Sequence, residues 1–269
     1  MIASLADAAK RSLRTILTAT ISIAFVLGLW YGFLHVFNVS SLVGKSPTEV
    51  WSYLTSGPAA AGHRTKLLRG LWETLFDAGV GYLAGLAGAM IAALIFVLYR
   101  PVEQALLPVA IVIRSVPLIA MTPLIILVFG RGIIGTAVIV GIVVFFPSMV
   151  TIAFGLRSAS RQSIELCQVY GASRAVIATK VLIPSSMPAF FASARVAVPS
   201  AIVGAMVAEW LSTGRGLGYA MATDPNSFDY GHLWAAVALL TAVSALLYFA
   251  LTAVEAVVLA RFGASPSGR

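Results

Sequence analysis

Apolar residues fall in long unbroken runs separated by short polar stretches, rather than in the three-to-four spacing of a helix lying on a soluble core. A helix needs about 20 apolar residues to cross a hydrocarbon layer. About six runs qualify: Thr15 to Phe37, Thr74 to Tyr99, Leu106 to Phe129, Ile133 to Gly155, Ala189 to Leu211 and Gly231 to Leu259. None shows the alternation of a barrel strand, and a helix in lipid satisfies its own backbone. The pattern predicts an all-α integral membrane protein, with one membrane domain over 1–269 built from about six transmembrane helices.

Breakers and caps refine that picture. Pro117 and Pro123 are expected to interrupt the third run, where Arg114 lies about two turns in, and Pro199 sits inside the fifth. Such breaks are tolerated where neighbouring helices or an aqueous cavity satisfy the freed backbone groups. Gly81, Gly85 and Gly88 follow one another at spacings that allow helices to approach closely. In the first loop Ser46 is placed to cap a short helix carrying Val50, Trp51 and Tyr53.

The segment from Arg157 to Pro188 is too polar to span. Arg161 can pair with Glu165 one turn on, and Leu166, Val169 and Tyr170 form an apolar stripe. Gly171 supplies a permissive backbone, and Ser173 can cap a second short helix that stops before Pro184. A helix-turn-helix elbow between helices 4 and 5, outside the bilayer, is predicted. A juxtamembrane amphipathic segment can also simply lie on lipid.

Composition agrees with a membrane solvent: 59% of the 269 residues are hydrophobic and only 10% charged. The net charge of +8 would suggest nucleic acid in a soluble protein, but here the basic residues gather at helix ends and set orientation, so no nucleic-acid partner is expected. With the N-terminus inside, Lys10, Arg11, Arg14, Arg100, Arg157, Arg161, Arg174, Lys180, Arg261 and Arg269 are cytoplasmic. Lys45, Arg64, Lys66, Arg69, Arg131 and Arg215 lie opposite. The imbalance predicts both termini in the cytoplasm. The first run resembles a secretory signal in its basic flank, but its length and the lack of a small-residue cleavage site make it a retained helix. The single cysteine, Cys167, excludes an intrachain disulfide and a multi-cysteine metal site.

Local patterns for chemistry are weak. Gly44-Lys45-Ser46 ends like a phosphate-binding loop, but Val39 stands where the first glycine belongs. Leu211-Ser212-Thr213-Gly214 reads as a turn, and Gly79-Val80-Gly81 as helix packing. His35, His63 and His232 have no paired ligand spacing and no metal role is expected, while Asp224 and Asp229 are expected to face water in a loop. Charge at membrane depth is costly unless solvated or paired. Arg114 either reaches the boundary or lines a pathway, beside Ser115 and Pro117, and Glu209 is expected to be an interhelical or gating partner.

At the elbow the order is Glu165-Leu166-Cys167, three residues, Gly171, nine residues, Val181, one residue, Ile183-Pro184. This resembles the EAA motif of ABC importer permeases, with both alanines replaced. Three further stretches resemble the sulfonate, nitrate and taurine permease subfamily: Ser46-Pro47 with Val50-Trp51, Arg114-Ser115-Val116-Pro117 with Pro123-Leu124, and Ala208-Glu209-Trp210 with Gly216-Leu217-Gly218-Tyr219. The resemblance implies a non-catalytic subunit of the bacterial inner membrane, forming a dimer with a second copy. It implies cytoplasmic ATPase subunits that bind ATP and Mg, an external solute-binding protein, and no cofactor in this chain. The elbow, including Ala172 and Arg174, would be the coupling helix. The solute would be a small sulfonate-, nitrate- or taurine-like anion, or a vitamin or pyrimidine precursor. An ion-coupled secondary transporter and an intramembrane enzyme are the competing readings; the acidic or histidine relay of the first and the deep catalytic residues of the second are hard to find.

Overall fold

The computed structural model describes residues 2–261, with side chains from Leu17 to Ala260 except Ala19. The side chains of Lys10, Arg11, Arg14 and Arg261, and all of Arg269, which entered the orientation argument, lie outside the described residues. Among the described residues every regular element is helical. In chain order they are α1 (Ile2–Val36), α2 (Pro47–Thr55), α3 (Ala60–Leu98), α4 (Arg100–Ser115), α5 (Leu118–Phe129), α6 (Ile133–Arg157), α7 (Arg161–Val169), α8 (Arg174–Ile177), α9 (Ile183–Ala208), α10 (Gly216–Thr223) and α11 (Tyr230–Arg261). The short connectors Ala178–Leu182 and Glu209–Thr213 are π-helical turns, and Asp224–Ser227 is a 3-10 turn.

Four helical stretches are each long and apolar enough to cross a membrane: Ala60–Leu98, Ile133–Arg157, Arg174–Thr213 and Tyr230–Ala260. The pair α4 and α5 passes the same test only together, bent by 105°, and Thr20–Val36 of α1 is a shorter apolar stretch. The six apolar runs therefore each have a helical counterpart. The third departs from expectation, being broken once rather than twice. Val116 sits in the extended region that a following proline imposes, and Pro117 opens α5. Pro123 lies inside α5, where it removes one backbone hydrogen bond without ending the helix.

Contacts divide the chain into two compact units, Met1–Lys66 with Asp224–Ala235, and Leu67–Thr223 with Ala236–Arg269. In the first, Ser46 and Glu49 form a reciprocal capping box at the start of α2, with the Ser46 amide donating to Glu49 Oε2 at 2.8 Å. The Trp30 and Trp234 rings stack with centroids 5.4 Å apart.

The second unit is built on α6 packed against α9. Ile139, Val140, Val144 and Ile152 of α6 are buried, and α9, packed along α6, buries Ala194, Ala197, Ala201 and Ala205, with a Cβ on Gly204 falling 3.3 Å from Val140 Cα. Small residues on α9 let the two backbones come close, which is how helices associate where lipid removes the hydrophobic drive. α3 obeys the same rule, since a Cβ on Gly85 would fall 2.9 Å from the Gly141 carbonyl oxygen of α6. Two ion pairs tie this unit across helices, Arg157 with Glu103 and the largely buried Arg195 with Glu255.

Candidate functional site

The elbow forms as its caps dictate. Ser160 Oγ accepts the Ser163 amide at the start of α7. After Tyr170 the chain turns at Gly171, whose φ of 72° lies in the left-handed region that a side chain disfavours. The Ala172 amide donates back to the Cys167 carbonyl at 2.9 Å, and Ser173 Oγ accepts the Val176 amide to open α8.

Two faces result. Ile164, Cys167 and Ala172 pack onto the cluster holding Phe96, Leu156 and Leu182. Opposite them Leu166, Val169 and Tyr170 are 60%, 84% and 83% exposed. Glu165 stands beside them, its pair with Arg161 only 4.0 Å and solvent-exposed, so it holds neither side chain firmly. Arg174 points its guanidinium at the Tyr99 ring, 5.4 Å from the centroid. One expectation is corrected: the second elbow helix does not stop before Pro184. α8 runs through the π turn Ala178–Leu182 into α9, so Pro184, the second residue of α9, lies inside one continuous helical stretch directly after that turn.

Arg114, Ser115 and Pro117 meet at the bend between α4 and α5 and are exposed. Ser115 Oγ donates back to the Ile111 carbonyl at 2.8 Å, and Arg114 has no ion-pair partner among the described residues. Glu209 is fully buried. One oxygen, Oε2, accepts the Gly218 amide at 2.7 Å and the Thr74 hydroxyl at 3.0 Å. Thr74 Oγ1 in turn accepts the Leu217 amide at 2.9 Å, and Glu73 Oε2 accepts the Gly216 amide at 2.9 Å. Side chains of α3 and the π turn thus satisfy the first amides of α10, which no intrahelical carbonyl reaches. Asp77, 3.5 Å from Arg215, completes the cluster. A Cβ on Gly218 would lie 2.5 Å from the Met206 backbone and 2.8 Å from Glu209 Oε2, so the glycine lets α10 approach both. Glu73 and Asp77 were not singled out from sequence; their one-turn spacing on either side of Thr74 is the signal that marks them.

In the first unit Asp224 and His232 are buried and face each other, His232 Nδ1 lying 2.6 Å from Asp224 Oδ2. This corrects the expectation of water-facing acids and a boundary histidine. Asp224, Asp229 and His232 place ligand atoms within 4.8 Å of one another, and Lys66 already supplies positive charge there, 3.2 Å from Asp229 and 3.8 Å from Asp224. Burial opposes ionisation of Asp229, but the His232 amide and Lys66 outweigh it and hold the carboxyl below the usual range. Burial first, then the Asp229 charge, push the Tyr53 hydroxyl upward.

Residues 84–263 match the family model described as the binding-protein-dependent transport system inner membrane component. The chain belongs to this family. A probable ABC transporter permease protein of Haemophilus influenzae is 31% identical over 67% of this chain and 76% of its own. The formylaminopyrimidine transport permease protein of Halalkalibacterium halodurans is 30% identical over 69% and 74%. The taurine transport system permease protein of Escherichia coli is 24% identical over 87% and 86%. A chain of the MetNI methionine ABC transporter, solved in inward-facing conformations, superposes with a TM-score of 0.65 at 20% identity, over 76% of this chain and 99% of that one, and so shares the fold. The permease is a non-catalytic, multi-pass membrane subunit of an ABC importer, and its family membership implies ATPase and substrate-binding partners.

Proposed function

We propose that the permease, paired with a second copy, forms the path of a bacterial inner-membrane importer whose elbow is the seat of a cytoplasmic ATPase. The observation that carries this is the outward face of Leu166, Val169 and Tyr170, apolar and more than half exposed, beside the carboxylate of Glu165. Apolar anchors ringed by a polar group are what a groove on a partner protein desolvates. Glu165 orients the contact, Cys167 and Ala172 seat the elbow on the body, Gly171 sets the turn, and Ser173, Arg174 and Pro184 lead the chain into α9. Both termini lie in the cytoplasm and an external binding protein delivers the solute. ATP and Mg are bound by the ATPase, which must favour one elbow position by differential binding to move the helices attached to it.

The solute is a small molecule of the pyrimidine-precursor class or an anion of the taurine class, in keeping with the names of the relatives. Arg114, exposed at the α4–α5 bend beside Ser115 and Pro117, would draw an anionic group, with Glu209 fixing the end of the path. The test is reconstitution of the permease with its ATPase and binding protein. Glu165→Ala with Gly171→Pro is expected to reduce solute-stimulated ATP turnover to the unstimulated level. Leu166→Ser with Tyr170→Ser, both exposed and so neutral for the permease fold, is expected to weaken ATPase copurification by about tenfold or more. Stimulated turnover that survives the first pair, or unchanged copurification with the second, rules the elbow role out.

A further inference from the structure

A cleft of about 740 Å³ opens between the end of α3, the start of α4, the end of α6 and the elbow. Arg100, Arg157 and Arg161 line it, against one carboxylate, Glu103, which pairs with Arg157. Arg100 is exposed without an ion-pair partner among the described residues, and the Arg161 side chain is 95% exposed. The wall behind these guanidinium groups is apolar, with half-buried Val97 and Ile164 in front of the buried Phe96, Leu156 and Leu182. The two chemistries meet at a defined depth, since Arg100 follows the apolar helix ending at Leu98, and Arg157 is the last residue of α6.

A small soluble anion would not need the apolar wall, and an uncharged lipid would not need the arginines. An amphiphile with a phosphate head uses both. Guanidinium forks bind phosphate oxygens in pairs, and basic pockets between membrane helices at the water boundary suit anionic headgroups. We propose that this cleft binds the phosphate diester headgroup of an anionic phospholipid, with an acyl chain laid along the part-exposed Val97 and Ile164. Because Arg161 and Ile164 belong to α7, the lipid bridges the elbow and the span ends of α3 and α6. The site is independent of which solute is carried.

The test is native mass spectrometry of the full-length permease titrated with phosphatidylglycerol or phosphatidylcholine in detergent. One phosphatidylglycerol is expected to be retained in preference to phosphatidylcholine. Arg100→Gln and Arg161→Gln, made separately at two exposed positions, are each expected to lower that preference about fivefold, the worth of one basic residue near an anionic surface. Arg100→Lys is expected to keep most of it. Equal retention of the two lipids overturns the proposal, as does an undiminished preference in the Arg100→Gln, Arg161→Gln double variant. Complete displacement by millimolar glycerol phosphate makes the ligand a soluble phosphate and also overturns it. Loss of the lipid when the ATPase is added assigns the cleft to a segment of that subunit instead.

Discussion

Replacing Glu209 by alanine is expected to loosen α10 from α3 while leaving the other helices in place. The carboxylate oxygen Oε2 accepts two buried donors, the Gly218 amide at 2.7 Å and the Thr74 hydroxyl at 3.0 Å. Leaving a buried donor unmet costs about 1–3 kcal/mol. The Thr74 hydroxyl can turn towards a carbonyl one turn back in its own helix, whereas the Gly218 amide has no such freedom. The net loss is then about 2–4 kcal/mol, including the small void left by the carboxyethyl group. Glu209→Gln retains an oxygen for both donors and exchanges one buried polar atom without a partner among the described residues, Oε1, for another, the NH2, so a loss of about 1 kcal/mol, smaller than that of alanine, is expected. Equilibrium unfolding of the purified permease in mixed micelles measures the difference, and limited proteolysis around 214–223 reports whether α10 is released first. Alanine and glutamine variants of equal stability, within about 0.5 kcal/mol, would refute the claim that this carboxylate holds α10 by its acceptor oxygen.

Two further outcomes follow from the packing and the charges. Gly85→Val puts branched carbons against the Gly141 carbonyl and Val144, and should lower stability by about 2 kcal/mol or more, whereas Gly79→Val, with open space beside it, should change it little; unfolding midpoints of the pair decide. Asp229 has a carboxyl held below its usual range, so the stability it contributes is present above the unfolded value of about 3.9 and fades as pH falls through the lower folded value. Asp229→Asn should therefore be about 1 kcal/mol less stable at pH 7, with the gap closing only below about pH 4, and a gap unchanged at pH 3 in thermal unfolding would contradict the pairing with Lys66.

The spans were legible because a bilayer imposes one length and one composition, and the start of α6 at Ile133 falls where the run begins. The elbow was legible for a different reason: Ser173 as a cap and Gly171 at positive φ are local devices that act over a few residues. What escaped were features with no local signature. The chain passes through a π turn at Ala178–Leu182, so a proline that reads as a stop lies within a longer helix. Bonds joining Glu209 to Thr74, across 135 residues of sequence, depend on which helices meet, as does the burial of Asp224 against His232. Sequence spacing cannot distinguish such acids from solvated ones until their neighbours are in place.

The uninterrupted stretch Arg174–Thr213 contains 40 residues, which at 1.5 Å per residue gives a rod about 60 Å long, twice the thickness of the hydrocarbon layer. Roughly half of it must therefore stand clear of the lipid. Under the proposed coupling, a push at its Arg174 tip would act on a lever pivoted where α6 packs along α9, its far arm ending at the carboxylate bonded to α10. Tilting such a beam by a few degrees displaces both tips by ångströms in opposite senses, with no need for any helix to unwind.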